Sequence, residues 1–158
     1  MTGRPAWHAL FASLPPDAIP RRTPVASPDV LARPEAAAIA GWEQLILDLS
    51  STDGMRVCMV TLDASGRPVS ASDLVLYRTA LADGVDGDPR PAVRFEQHTV
   101  GGRLEADGTF HGTRWHTIGL EHEGEDEPAM QMTPSTPTAD DIAAIKALVA
   151  EIVRRAAR

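Results

Sequence analysis

The sequence is poor in cysteine and lysine, and it lacks a long apolar run. Cys58 is the only cysteine among 158 residues, which excludes an intramolecular disulfide and a zinc site built from cysteines. No apolar stretch approaches the roughly 18 residues that a membrane-spanning helix needs. Lys146 is the only lysine beside 14 arginines, a bias typical of a GC-rich genome and hence of a bacterium. We therefore expect a cytoplasmic protein without a membrane segment.

The charge is acidic, since 22 Asp and Glu face 15 Lys and Arg and give a net charge of −7. Such a surface repels phosphate backbones, which argues against nucleic-acid binding and favours a protein partner with a basic surface. The apolar fraction of 43% is enough to form one hydrophobic core that needs no disulfide or metal ion to stabilise it.

Motifs of known chemistry are also missing. The sequence contains no nucleophile elbow, no Walker loop and no dinucleotide-binding glycine motif. Its five histidines form no H-x-H, H-x-x-x-H or H-E-x-x-H pattern. Cys58 lies in an apolar stretch and is predicted to be a small core residue. The sequence therefore predicts no metal site and no cofactor.

The N-terminal residues 1–28 are predicted to form an arm, and residues 29–158 a single α+β domain. Trp7, Phe11 and Leu14 lie on one stripe of a short amphipathic helix, and the prolines from Pro15 to Pro28 predict an extended linker. Two interpretations stay open, because the helix can pack on its own domain or reach another protein. A homodimer is the expected assembly in the second case.

The domain is predicted to be a curved antiparallel β-meander of about five strands. Helices precede the meander, the longer one beginning at Pro34 and continuing to Ser50, and a C-terminal amphipathic helix packs on it. That last helix, over 138–157, has Thr138 and Asp141 in the positions of a capping box. A short strand over Ala129–Thr133 comes before it.

Two hairpins make up most of the meander. Met55–Asp63 and Arg67–Arg78 flank Ala64-Ser65-Gly66, a three-residue loop ending in a left-handed glycine. Pro68 cannot donate to a ladder, which predicts that this hairpin lies towards a sheet edge.

The second hairpin is predicted to close with Asp107-Gly108 as a two-residue turn. That register opposes Phe95 to Leu120, Arg94 to Glu121, Val100 to Trp115 and Thr99 to His116, all favourable pairs. It opposes His98 to Thr117 rather than to a histidine, and it makes Gly101-Gly102 a bend or bulge within a strand.

Two function classes follow from these patterns. The first is a non-enzymatic binding or regulatory protein that contacts its partner through an acidic surface and the N-terminal arm. Its expected contact residues are Trp7, Phe11, Glu121, Glu123 and Glu125. The alternative is a small-ligand-binding protein or cofactor-free enzyme with a pocket between sheet and helix.

For that alternative, the expected pocket residues are Tyr77, Arg114 and Trp115. His98 or His116 would handle protons, because imidazole titrates near neutral pH. A deep cavity containing a histidine with a carboxylate partner would favour the alternative, and a filled core would favour the first class.

Overall fold

The computed structural model describes residues 14–26, 29, 32–50, 54–81, 91–122, 124 and 129–157. In this part of the chain an antiparallel sheet of seven strands is followed by a C-terminal α-helix, an α+β arrangement. The strands are β1 (Arg21–Pro24), β2 (Glu43–Ser50), β3 (Gly54–Leu62), β4 (Pro68–Leu81), β5 (Ala92–Leu104), β6 (Phe110–His122) and β7 (Ala129–Ser135). The helix α1 comprises Ala139–Ala156, and a 3-10 helix, Pro34–Ile39, lies between β1 and β2. Within these ranges, no helix combines the length and apolar character needed to cross a membrane.

The predicted helix from Pro34 to Ser50 is wrong, and its second half is β2. The 3-10 helix ends at Ile39, and Gly41 then adopts the left-handed conformation (φ 79°), which an α-helix cannot continue through. Leu45 and Leu47 alternate onto one face and are buried. Short apolar runs satisfy helix and strand periods alike, and here pairing with β3 along the whole strand decides for the strand.

β1 is a second strand that the sequence did not predict. The predicted proline-rich linker begins with a turn, in which the Ala18 N–H donates to the Pro15 carbonyl, and its extended part Arg21–Pro24 pairs with β2. With β1 and β2 added, the described sheet has seven strands rather than about five. Leu14 and Ala18 pack against the core, whereas Trp7 and Phe11 of the predicted N-terminal helix lie outside the described residues. The division of the chain at residue 28 stays a prediction.

The first hairpin has the predicted turn but does not lie at the predicted position near the edge of the sheet. Asp63 donates its backbone N–H to the Arg67 carbonyl at 2.9 Å, and Gly66 closes the loop with φ 86°. β3 and β4 are nevertheless inner strands, so the expected edge position is wrong. Pro68 is tolerated because it is the first residue of β4, opposite Leu62 at a register irregularity.

The second hairpin closes one residue away from the predicted register. Glu105 donates its backbone N–H to the Thr109 carbonyl at 2.9 Å, and Gly108 has φ 90°. The loop is therefore the three-residue type of the first hairpin. Phe95 consequently lies opposite Gly119 rather than Leu120. A slip of one residue moves every β6 side chain to the other face relative to the prediction.

Gly102 and Gly112 lie opposite each other in this ladder. At Gly101 and Gly102 the pairing of β5 with β4 and with β6 continues without a shift in register, so the predicted bulge is absent there. A Cβ atom on Gly102 would lie only 2.2 Å from the His111 carbonyl oxygen, and glycine is needed for this close approach of the two backbones.

The helix α1 begins with the predicted capping box and packs across β2, β3 and β4. Its apolar stripe meets one face of the sheet, here called the helix-side face; the opposite face is the outer face. The buried cluster between them consists of Leu45, Leu47, Cys58, Val60, Leu62, Ala71, Val100, Phe110, Ile145, Leu148, Val149 and Ile152. Residues that pair across neighbouring strands lie on the same face of the sheet. Cys58 of β3 pairs with Asp73 of β4, which pairs with Val100 of β5, so all three lie on the helix-side face.

Candidate functional site

The corrected register brings two histidines together. His98 of β5 and His116 of β6 are direct cross-strand partners, and both lie on the helix-side face. Their rings are stacked, with centroids 4.4 Å apart and planes inclined by 10°. The sequence-based register had placed Thr117 opposite His98, and that pairing is wrong by one residue.

Glu96 joins the two rings through a single carboxylate oxygen. Its Oε1 atom lies 3.1 Å from Nε2 of His98 and 2.8 Å from Nε2 of His116. Because an ionised carboxylate only accepts hydrogen bonds, each Nε2 atom donates to it. Glu96 precedes His98 by two positions on β5, and residues two apart on a strand share a face. We call Glu96, His98 and His116 the His–Glu–His cluster.

Burial and hydrogen bonding act on the charge states in opposite ways. Burial alone would raise the pKa of Glu96, but the hydrogen bonds from His116 and His98 outweigh it and lower that pKa. Burial is also the largest influence on His98, and together with the neighbouring His116 it lowers the pKa of His98 despite the Glu96 carboxylate. At neutral pH the cluster therefore holds an ionised Glu96 beside a neutral His98.

The three side chains are unequally exposed. His98 is 13% exposed and Glu96 is 28% exposed, whereas His116 is 36% exposed. The helix α1 packs over β2 to β4, and on β6 and β7 the side chains of Ile118 and Thr133 on this face are exposed. His116 is therefore the member that a ligand from solvent would meet first.

Two arginines on the same face are each paired with a carboxylate. Arg114 Nη1 donates to Asp141 Oδ1 at 2.7 Å, which links β6 to the first turn of α1. Arg56 donates to both carboxylate oxygens of Asp73, at 2.9 and 2.8 Å, in a buried bidentate pair. These two arginines on the face of the cluster are thus held by carboxylates of their own, and the Arg114 charge still contributes to lowering the pKa of His98.

Cys58 is buried, as its apolar stretch indicates. Its Sγ atom donates to Asp73 Oδ1 over 3.4 Å. Burial, with the nearby Asp73 charge, raises the pKa of the Cys58 thiol to about 12. A thiol in that state is a poor nucleophile at neutral pH.

The predicted pocket residues are divided between the two faces. Tyr77 lies opposite Glu96 on the helix-side face, where Arg114 also lies. Trp115 is on the outer face, so it cannot line the same pocket. With Met59, Thr99 and others it borders a shallow groove of about 350 Å³ there.

Of the predicted partner-binding residues, only Glu121 lies in the described part of the chain. It is half-buried, and its carboxylate is 4.0 Å from Nε of Arg78. Glu123, Glu125, Trp7 and Phe11 lie outside the described residues.

Sequence reasoning missed Glu96 entirely. The available signal was the Glu-x-His spacing of Glu96 and His98, which puts a carboxylate and an imidazole on one face of a strand. This spacing indicates a site only if His116 lies opposite His98 on the neighbouring strand. That pairing depends on whether the loop between β5 and β6 has two or three residues. The cluster can share protons among three groups, or it can offer three ligand atoms that lie within 4.8 Å of one another.

Comparison of the chain with protein-family models, with curated proteins and with solved structures finds no match in any of the three.

Proposed function

We propose that this protein binds a small ligand, a molecule or an ion, at the His–Glu–His cluster. The observation that carries the proposal is the sharing of one Glu96 oxygen by His98 and His116 at 3.1 and 2.8 Å. Ligand sites typically contain a small number of polar side chains that converge on one point, as these three do. In this assignment His116 contacts the ligand, and Glu96 orients both rings.

Binding is favoured over catalysis by what surrounds the cluster. The space between α1 and the sheet is filled by the apolar side chains of the core cluster, which by the sequence-based criterion favours a protein-binding function. The proposed ligand site therefore lies beside α1, on the open part of the sheet, and not in a pocket beneath the helix. The thiol of Cys58 is buried and held in its neutral form, so it does not supply a nucleophile. A cofactor-free reaction would need the His116 imidazole to act as the acid or base on a ligand held at the surface.

Chelator-treated protein, titrated with a library of small polar and charged molecules, tests the proposal. Ligands should shift the backbone ¹H–¹⁵N resonances of Glu96, His98 and His116. His116→Gln should abolish the effect, and His111→Gln should preserve it, because His111 is exposed on the outer face of the same strand. Shifts confined to the outer-face groove, or none at all, would refute the proposal.

A protein partner with a basic surface is a second candidate function, and the outer face supports it. Trp115, Met130 and Met132 are 38%, 53% and 55% exposed, and their positions on β6 and β7 are adjacent. Tryptophan and methionine are enriched at protein interfaces. Glu121 lies on the same face, and the net charge of −7 favours a cationic partner. Trp115→Ala should then weaken binding to such a partner, whereas His116→Gln should not.

A further inference from the structure

We propose that the His–Glu–His cluster is a site for a divalent transition-metal ion, with Glu96, His98 and His116 as its protein ligands. The inference rests on the proposed function and deepens it by naming the ligand class. It also replaces the sequence-based expectation of no metal site, which was based on the absence of histidine spacing motifs and on a register that placed Thr117 opposite His98.

Two of the three separations between the ligand atoms are close to those that a metal requires, and all three are within 4.8 Å. Zinc lies about 2.0–2.2 Å from histidine nitrogen and carboxylate oxygen, so two ligand atoms in a tetrahedral site are about 3.3 Å apart. Here Glu96 Oε1 is 3.1 Å from one Nε2 atom and 2.8 Å from the other. Movements of a few tenths of an ångström would bring these two ligand pairs to coordination distances.

The ligand set points to a particular class of metal. Two imidazoles and one carboxylate suit zinc and its first-row neighbours, whereas magnesium and calcium prefer sites made wholly of oxygen. Three protein ligands also leave at least one coordination position open. Because His116 is 36% exposed, that position would face solvent and could take water or a small donor ligand.

The carboxylate of Glu96 favours a cation. It is the one acidic side chain among the three proposed ligands and lies within 4.8 Å of both imidazoles. Arg114 and Arg56 on this face are each paired with a carboxylate, Asp141 at 2.7 Å and Asp73 at 2.8 Å. Arg94, two positions before Glu96 on β5, lies on the same face and is exposed to solvent. A bound metal ion would therefore meet less repulsion from Arg114 and Arg56 than from unpaired guanidinium groups, and water screens the charge of Arg94.

Binding requires a defined rearrangement. The rings are nearly parallel, with 10° between their planes, and both Nε2 atoms now donate hydrogen bonds to Glu96. A metal needs the Nε2 lone pairs, so each proton must move to Nδ1 and each ring must tilt until the lone pairs converge. The backbone can stay as it is, because both histidines are set by paired strands.

Zinc titration of untagged, chelator-stripped protein tests the inference, with competition against a chromogenic chelator and with calorimetry. We expect saturable binding of one ion per chain. Glu96→Gln and His116→Gln should each weaken it by at least about tenfold. The matched control His111→Gln should bind like the wild type, and cobalt should give a visible spectrum that His116→Gln loses.

Zinc-induced shifts of backbone resonances in the wild type provide a measurement that does not depend on any variant being folded. Shifts centred on Glu96, His98 and His116 are the expected result. Absent or non-saturable binding, shifts elsewhere, or equal loss in His111→Gln would overturn the inference. If small molecules bind the cluster and zinc does not, the inference fails alone. If neither binds, the proposed function fails with it.

Discussion

Arg155 near the end of α1 and Pro15 near the start of the described chain are joined directly. The guanidinium Nη1 of Arg155 donates to the carbonyl oxygens of Pro15 at 2.6 Å and of Ala18 at 2.9 Å. Its Nε atom donates to Glu151 at 2.8 Å, and the side chain is 7% exposed. One buried cation therefore holds the N-terminal segment against the C-terminal helix.

Replacing this cation should destabilise the fold. Arg155→Met keeps the apolar stem but removes the hydrogen bonds to two carbonyl groups, of which that of Pro15 still accepts from the Ala18 N–H at 3.1 Å. We expect a loss of about 2–3 kcal/mol in the free energy of unfolding. Arg154→Met is the matched control on the same turn, because its exposed side chain pairs only with Glu151. Urea denaturation of both variants measures the difference. Equal stabilities would show that the buried hydrogen bonds contribute nothing.

The N-terminal arm can be tested by removing residues 1–13. A deletion to residue 26 would also remove β1 and the Arg155 contacts, so it would not isolate the arm. We predict that the predicted Trp7–Leu14 stripe docks, since so short a helix is marginal alone in water. A lower melting temperature would indicate docking on the same chain, and a change from dimer to monomer in light scattering would indicate an exchanged arm. Unchanged mass and melting temperature would contradict docking.

Asp141 should make stability depend on pH. Burial would raise its pKa, but hydrogen bonds from Thr138 and Arg114 outweigh that effect and lower the pKa below the ordinary 3.8. The stabilising effect of the carboxylate is therefore complete above about pH 4 and is lost as pH falls through the lowered value. Asp141→Ala should cost about 1–2 kcal/mol at pH 7, and the difference should shrink at pH 3.

Denaturation of wild type and variant at the two pH values measures this effect. Asp140→Ala is the control, because its exposed side chain takes no part in the capping box. A difference between wild type and Asp141→Ala that stays constant from pH 7 to pH 3 would contradict the assignment.

A basic protein partner, if the second candidate function holds, should bind at a rate that depends on salt. Screening shortens the Debye length from about 10 Å at 0.1 M salt to about 3 Å at 1 M. The association rate should therefore fall steeply between about 0.05 and 0.5 M salt, as stopped-flow mixing would show. An association rate that does not change with salt would show that the acidic charge does not attract the partner.

The C-terminal helix and the first hairpin could be predicted because local signals agree there. Thr138 and Asp141 form the capping box, and Gly66 takes the left-handed position of its loop. β2 could not be predicted, because Leu45, Ile46 and Leu49 fit a helix while Leu45, Leu47 and Leu49 fit a strand, and only pairing with β3 decides between them.

The candidate site could not be found from the sequence because the turn between β5 and β6 was assigned two residues and not three. Ala106-Asp107-Gly108 repeats the pattern of Ala64-Ser65-Gly66, yet favourable cross-strand pairs argued for a two-residue turn instead. Such pairs are worth only about 0.2–1 kcal/mol each, which is too little to outweigh the geometry of a turn. A register wrong by one residue hid the contact between His98 and His116.

The order of strands in the sheet equals their order along the chain, β1 to β7. From β2 onward each strand finds its partner by closing a loop of at most ten residues, whereas 18 residues separate β1 from β2. The entropic cost of closure is therefore small at every step after the first. We expect assembly to spread outward from a hairpin. Two contacts join distant parts of the chain. The helix α1 packs on β2, β3 and β4, and Arg155 at its end contacts Pro15, which lies 140 positions away. Because the contact with Pro15 needs both the docked helix and the N-terminal segment, we expect it to form late in folding.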